Sequence, residues 1–372
     1  MQTVIGVNDP KAVKRFSADL FVETSREGYF SSKFAGKGAN PQAPIQVLLD
    51  LAKDHGDTIS YDLSVQLNNA PVFGDDKLKG KEAALQFATD EVKITQVRCG
   101  VSAGGRMTRK RVLHDLRMVA RARQGEWWGR LDDEFTVMYA SGARGHNDDT
   151  ILDADFAGYA GNSLVAPDAA HQMYAGAATS KASLVAGDKL DLTTIEKAVT
   201  KAKAMGGGGT GAPKIQPMRF EGEERFVLLM SPFDEYNLRT NSSVGQWIDI
   251  QKAAAGAQGA AGPLFKGALG MFNGVILHSH QITRRFNDYG AGSNVKASRC
   301  LFMGRQALVR AYGSPGNGLR MDWHEETDDR GNELVITSST IRGDKKTRFE
   351  VRGTQYDLGV IAIDAAAADP NP

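Results

Sequence analysis

Between Thr108 and Gly142 the chain reads TRKRVLHDLRMVARARQGEWWGRLDDEFTVMYASG, and within it Leu113, Leu116, Ala120, Trp127, Leu131, Phe135 and Met138 recur three or four residues apart. Gln124 fills the one gap in the row. That spacing lays a single apolar stripe along a 3.6-residue helix. At 1.5 Å per residue the helix would run roughly 50 Å, far beyond the usual three turns, so it must be the spine of something broad and thin or a member of a bundle. Thr108 is placed to cap its start and Gly142 to close its end. Gly125 and Gly129 each cost about 1 kcal/mol relative to Ala, and mark a bend or a neighbour packed close beside Trp127 and Trp128.

What flanks the spine does not make a core by itself. PKAVKRFSADLFVET puts Val13, Phe16 and Leu20 at helical spacing, and Ala43 to Lys53 predicts a second short helix with Ile45, Leu48 and Leu51 inside. The intervening SREGYFSSKFAGKGANPQ reads as loop. From Thr58 to Leu67 the apolar residues Ile59, Tyr61, Leu63, Val65 and Leu67 alternate with polar ones, the period of a half-buried strand. After a charged, glycine-containing stretch, Glu91 to Val101 predicts the return strand. A loop of that size is usually functional, and an isolated ribbon is marginal in water, so something beyond the local sequence has to cover it.

Beyond the spine, RGHNDDTILDADFAG is turn-rich, and Thr193 to Met205 predicts a helix with a Thr193/Glu196 capping box and Ile195, Ala198, Val199 and Ala202 inside. Gly206 to Gly211 breaks it. Arg225 to Met230 predicts a buried strand, Ser243 to Ala255 a helix, Ala253 to Gly262 a hinge, and Gly274 to His278 a strand. Gly304 to Ala311 predicts a short helix. Strands follow at Leu319 to Glu325, Glu333 to Ile341, Thr347 to Arg352 and Gly359 to Ile363, the first two joined by a turn at Asp328 to Gly331. From Ala365 the end reads as frayed. The fold class is α+β, one long helix beside antiparallel strands.

No motif in the chain supports catalysis. MGGGGTGAPK is glycine-rich, but Ala212 and Pro213 stand where a phosphate loop needs Lys and Ser or Thr, so it reads as a flexible connection. His278 and His280 share a strand face, a spacing some metal sites use, yet no nearby Cys or carboxylate completes the set, although Asp288 lies within loop reach, and they read as surface or packing histidines. Asp148, Asp149, Asp153 and Asp155 lack the alternation of a calcium loop and read as a solvated turn. There is no Gly-x-Ser-x-Gly elbow, and Cys99 and Cys300 sit in no nucleophile signature. Catalytic, cofactor and metal residues are therefore expected to be none. Forty-five basic against forty-four acidic residues leave a net charge of +1, so no bulk field argues for nucleic acid. No apolar run reaches membrane length and no leader is indicated, while two cysteines point to a reducing compartment. One local field remains: Arg106, Arg109, Lys110, Arg111, Arg117, Arg121 and Arg123 face only Asp115, at the helix end whose dipole disfavours cations. They form either a solvated face with intersubunit ion pairs or a surface for polyanion, whose contact would weaken with salt.

The segments GDTISYDLSVQL, LKGKEAAL, VKITQVRCGVSAGGRMTRKRVLHDLR, GPLFKGALGMFNGVILH, MGRQALVRAYG, WHEETDDRGNE and IRGDKKTRFEVRGTQYDLGVIAI, in this order, resemble the major capsid proteins of tailed bacteriophages. That is the Hong Kong 97 (HK97-like) fold, and the finer likeness is to the N4-like branch. The resemblance implies an N-terminal arm (1–57), an extended loop (58–101), a peripheral domain holding the spine (102–157 and 319–354) and an axial domain (158–318 and 355–372). It further implies a shell of pentamers and hexamers around double-stranded DNA, with Asp328 to Asn332 near three-fold contacts and the inner face of the spine toward DNA. Separate scaffolding and portal proteins are expected, decoration proteins are an open expectation, and assembly is expected in the host cytoplasm. Lys77, Lys79 and Lys81 lie in the loop that some relatives crosslink, though no crosslink is expected. The other readings are an encapsulin-like nanocompartment shell and a soluble α/β enzyme. A tether without a core, a ribbon without a partner and an overlong helix all need surfaces that sister copies can supply.

Overall fold

A computed structural model describes residues 28–38, 41–50, 56–64, 70–82, 87–111, 115–206, 212–220, 222–241, 269–314, 320–351 and 353–370. The spine is two helices: α2, Arg106–Arg111, and α3, Leu116–Ser141, after the short α1, Tyr29–Lys33. Thr108 therefore caps nothing. Asp115, with extended φ/ψ, is the N-cap of α3 and accepts from the Arg117 N–H at 3.0 Å, while Gly142 closes it at φ 66°. The break eases the conflict with the dipole, because Arg109, Lys110 and Arg111 now lie in the last turn of α2 and a carboxylate caps the start of the long helix. A Cβ on Gly142 would lie 2.0 Å from the Val165 carbonyl, so the closing residue must be glycine for space as well as for φ.

The stripe expected along the spine holds only in part. Trp128, not Trp127, is fully buried, and its indole N–H donates to Ser338 Oγ at 2.9 Å. Gln124 donates to the Ile336 carbonyl at 3.1 Å, so the gap in the stripe is a buried polar contact to the sheet. From Leu131 to Ser141 every residue is buried. Gly125 and Gly129 lie inside one continuous helix on its buried side.

Two sheets enclose this helix. In the first, Ala35–Lys37, Ile45–Leu48, Leu308–Tyr312, Glu333–Lys346 and Met321–Asp328 pair in that order, and Thr95–Gly105 also pairs with Glu333–Lys346. In the second, the order is Gly270–Phe272, Val275–Ser279, Glu223–Met230, Val295–Met303, Val360–Ala366 and Gln172–Tyr174, with Arg285–Tyr289 and Met218–Phe220 added at the sides. Val227 and Leu229 point to the core that Trp128 and Phe135 share with the first sheet. Phe226, Leu228 and Met230 point the other way, onto Ile195, Ala198 and Val199 of helix α4, Leu192–Ala204. Covered on both faces, the strand reads as a continuous apolar run.

Several expected elements differ. Ile45–Leu48 and Leu308–Tyr312 are strands where helices were expected, paired in parallel with each other. The stretch read as loop before Ile45 holds α1 and the strand Ala35–Lys37, with Phe30 and Phe34 fully buried. Helix α4 is capped by Asp191, which accepts from the Thr194 N–H at 2.7 Å, rather than by Thr193. A helix the sequence reading did not mark, α5, Pro232–Thr240, starts in a Ser231/Asp234 capping box. The strand expected at the end is present as Val360–Ala366, and it takes in Ala365 and Ala366 of the segment expected to fray; Ala367 is buried too, whereas 368–370 are exposed. The helices expected near residues 10–24 and 243–255, the hinge at 253–262 and the glycines at 207–211 lie outside the described residues.

Candidate assembly surface

The extended hairpin begins where the Ile94 N–H donates to the Asp57 carbonyl at 2.8 Å. Its strands, Thr58–Ser64 and Phe87–Lys93, run in register from Thr58 opposite Lys93 to Ser64 opposite Phe87. The return strand is thus distinct from Thr95–Gly105, which enters the first sheet. Its root is covered by its own chain, contrary to the expectation of an unpartnered ribbon. Ile59 and Val92 pack on Leu48, Val309 and Ala311, and Ala88 packs on Phe349, Val351 and Leu358. Tyr61 donates to Asp90 at 2.6 Å, and Lys345 pairs with Asp90. Gly343 allows the crossing, since a Cβ there would sit 1.9 Å from the Lys93 carbonyl.

Farther out the hairpin changes character. Apart from partly covered Val72, residues 70–82 are exposed, and Phe73 and Leu78 keep 77% and 57% of their surface in solvent. Phe87, where the return strand begins, keeps 64%. Lys81 pairs with Asp76 at 3.3 Å, both exposed, an ion pair worth about 0–1 kcal/mol. Lys77 and Lys79 are exposed beside them.

The basic run divides into two kinds of residue. Arg106 Nε donates to the Gly331 carbonyl at 3.1 Å and Arg109 to the Asn332 carbonyl at 3.1 Å, so these two hold the turn that joins Met321–Asp328 to Glu333–Lys346. Asp329 and Arg330 in that turn have positive φ. Arg117 pairs with Glu325 at 2.6 Å and Arg123 with Glu126 at 2.6 Å. Lys110, Arg111 and Arg123 are exposed beside exposed Met107, Met118 and Val119. The face therefore mixes methionine and valine with cations.

The other candidates are absorbed by the fold. His278 is buried, its Nδ1 within 2.7 Å of the Tyr29 hydroxyl, and the His280 ring lies 4.6 Å from the Tyr29 ring. Burial, with Lys33 nearby, pushes His280 down to about 4, so it is a neutral packing group at ordinary pH. Asp148 pairs with Arg285 at 2.8 Å and Asp149 with Arg130 at 2.6 Å. Asp153 offers its carbonyl to Arg144, and Asp155 is exposed. No group of three metal-ligating side chains occurs among the described residues. Cys300 is buried and Cys99 partly so.

What the sequence reading missed is charge inside the body. The acids Asp132, Asp133 and Glu134 follow one another on the buried part of α3. Asp133 accepts the Tyr29 and Phe30 N–H groups, both at 2.9 Å, and so anchors α1. Glu134 accepts the Ile151 N–H at 2.7 Å. Asp132 joins Asp344, Arg310 and Arg342 in a neutral cluster: Arg310 and Arg342 reach Asp344 at 2.7 and 2.6 Å, Arg310 reaches Asp132 at 3.3 Å, and Arg342 also pairs with Asp132. Burial alone would push the Asp344 carboxyl up, but Arg342 and Arg310 hold it at about 2. The cluster ties the arm, through Ser31, to the spine and to two strands of the first sheet.

A family model described as "Phage capsid protein" matches residues 4–369. The chain is 25% identical over 372 residues to a major capsid protein of Pseudomonas phage KPP25, covering 93% of each. Among solved structures it is similar to the capsid of Ralstonia phage GP4, with 51% identity, a TM-score of 0.85 and all of both chains covered. It is also similar to the cyanophage Pam1 capsid asymmetric unit, with 21% identity and a TM-score of 0.68 over 92% of this chain and 93% of that one.

Proposed function

The chain belongs to the phage capsid protein family, and from that premise we propose how its copies build a head. Its fold is HK97-like. It is a major capsid protein, a structural subunit of a self-assembled shell in the virion and not an enzyme.

The finer reading is that pentamers and hexamers close an icosahedral shell around double-stranded DNA. In it residues 1–57 are the arm, 58–101 the extended loop, 102–157 with 319–354 the peripheral domain, and 158–318 with 355–372 the axial domain. The sheet memberships support a somewhat different seam, since Leu308–Tyr312 and Ile45–Leu48 belong to the sheet that carries the spine. The observation that carries the reading is the hairpin beyond its root, whose Phe73 and Leu78 bury little within the subunit. Exposed apolar groups on a projecting ribbon gain cover from a neighbouring copy. Repeated around a ring, such heterologous contacts close. Lys110, Arg111 and Arg123 suit a weak, sequence-independent contact with packaged DNA. Separate scaffolding and portal proteins, with assembly in the host cytoplasm, complete the proposal.

The test is sedimentation and electron microscopy of heads assembled in phage-infected cells, where the other head proteins are present, with Phe73 and Leu78 intact or both changed to serine. Closed shells are expected from the first. From the second, folded subunits that remain small are expected. Shells of normal yield and size from the double variant would overturn the role given to the tip.

A further inference from the structure

We propose that the cleft between the strand Ala35–Lys37 and the strand Glu333–Lys346 is a binding site for an oxyanion, either a phosphate group or the carboxylate of an acidic side chain. The cleft has a volume of about 200 Å³, and its walls bring together Lys37, Arg310, Arg320 and Arg342 against the single acid Asp132. Asp344 lies behind Arg310 and Arg342. Arg310 and Arg342 balance Asp132 and Asp344, so Lys37 leaves the lining an excess of at least one positive charge.

Excess charge alone would be a solvated surface feature; the donors left over at the floor make it a site. Arg310 spends its guanidinium on Asp344, Ser31, the Asp132 carboxylate and carbonyl, and Thr136. Arg342 directs Nε and Nη2 to Asp344 and Nη1 to Asp132. A guanidinium carries five N–H groups, so Arg342 keeps one on each Nη with no partner among the described residues. Its side chain is only 2% exposed, and it lines the cleft. Tyr312 adds a phenol hydroxyl with no hydrogen bond to another described residue, and its ring lies 5.0 Å from Arg320 and 6.0 Å from Arg342. Lys37 stands exposed at the mouth with no carboxylate in ion-pair range among the described residues.

These groups suit one ligand chemistry. Paired N–H donors of arginine match the oxygens of phosphate or carboxylate, a phenol hydroxyl can donate a third bond, and an ammonium supplies a point charge. The walls are partly desolvated, which strengthens each attraction relative to open water. Asp132 does not defeat the site, because both buried arginines already neutralise it.

The experiment is thermal melting of purified shells, and of subunits released from them, in inorganic phosphate against chloride at equal ionic strength. A parallel arm uses a short glutamate-bearing peptide. A ligand that binds only the folded state raises the melting temperature in a saturable way. Wild type is expected to respond to at least one arm; the responding arm identifies the source as free phosphate or an acidic side chain. Lys37→Ala and Tyr312→Phe are both expected to fold, since one is exposed and the other loses only a hydroxyl. Each should weaken the half-saturating concentration roughly fivefold or more, and Lys37→Arg should restore it. If neither anion shifts wild type beyond chloride, or if both variants respond as wild type does, the site is overturned.

Discussion

From Leu131 to Ser141 the spine is buried on every side, whereas between Arg106 and Arg123 only Ala120 is buried among the described residues. Two helices in succession thus serve two purposes. The far part is a core rod whose three consecutive acids are each matched inside the subunit by an arginine pair or by backbone N–H groups. The near part keeps Met107, Met118 and Val119 exposed beside Lys110 and Arg111. The hairpin repeats the contrast, with a root packed on Phe349 and Val309 and a tip that leaves Phe73 in water. Tertiary structure is completed within the chain, and what is left outward-facing is what a shell can use.

The contrast breaks most visibly if the buried part is disturbed. Asp344→Ala leaves Arg310 and Arg342 with one carboxylate between them, and breaking a buried pair typically costs 3–5 kcal/mol. Subunits should melt far earlier or fail to accumulate, as thermal denaturation of the soluble fraction would report. A melting temperature within a degree or two of wild type would mean that the cluster is not what ties the arm to the spine.

A smaller effect comes from Asp133. Burial pushes its carboxyl up to about 6 even though the Phe30 and Tyr29 N–H groups favour the charged form. The folded chain then holds that proton more tightly than the unfolded chain. Its contribution to stability is fully present below about pH 4 and is lost as pH rises through about 6. Asp133→Asn removes the titration while keeping one acceptor for α1. Compared with wild type, the variant's urea midpoint should fall less between pH 4 and 6, by an amount equivalent to about 2 kcal/mol. Parallel pH profiles would remove Asp133 from the account.

How much of this could be read in advance follows from which faces are covered. Thr58–Ser64 is covered on one side and alternates, and α4 has one wet face and shows its period, so both were legible. Val295–Met303 and Leu308–Tyr312 are buried on both faces and lose the alternation, and Arg299 and Arg310 make them look half polar. The arginines are buried because Asp364 and Asp344 neutralise them, partners 65 and 34 residues away in sequence. No local pattern announces such a pair. The same holds for the surface: the exposed tip was visible as a charged loop, but that Arg106 and Arg109 are tied to a turn more than 220 residues away was not.

The break in the spine offers a finer test. Asp115→Ala removes the only side-chain cap of α3 without touching its buried part, at a cost of about 1 kcal/mol. Asp115→Ser should restore most of it. Urea denaturation would resolve both, and no loss in the alanine variant would mean that α3 starts elsewhere.

The smallest effect on the fold should come with the largest effect on the shell. Phe73 and Leu78 lie on an exposed tip, and surface substitutions that touch no packing, cap or pair stay within about 0.5 kcal/mol. Changing both to serine should therefore leave the subunit's urea midpoint unchanged while sedimentation shows particles lost. Lys77→Ala with Lys79→Ala separates two causes of such a loss. If the tip binds by burying apolar surface, removing two exposed charges leaves particle yield near wild type and only changes its dependence on salt. If the lysine variant abolishes particles and the serine variant does not, the tip works through charge, and the comparison between covered root and uncovered tip loses its meaning for assembly.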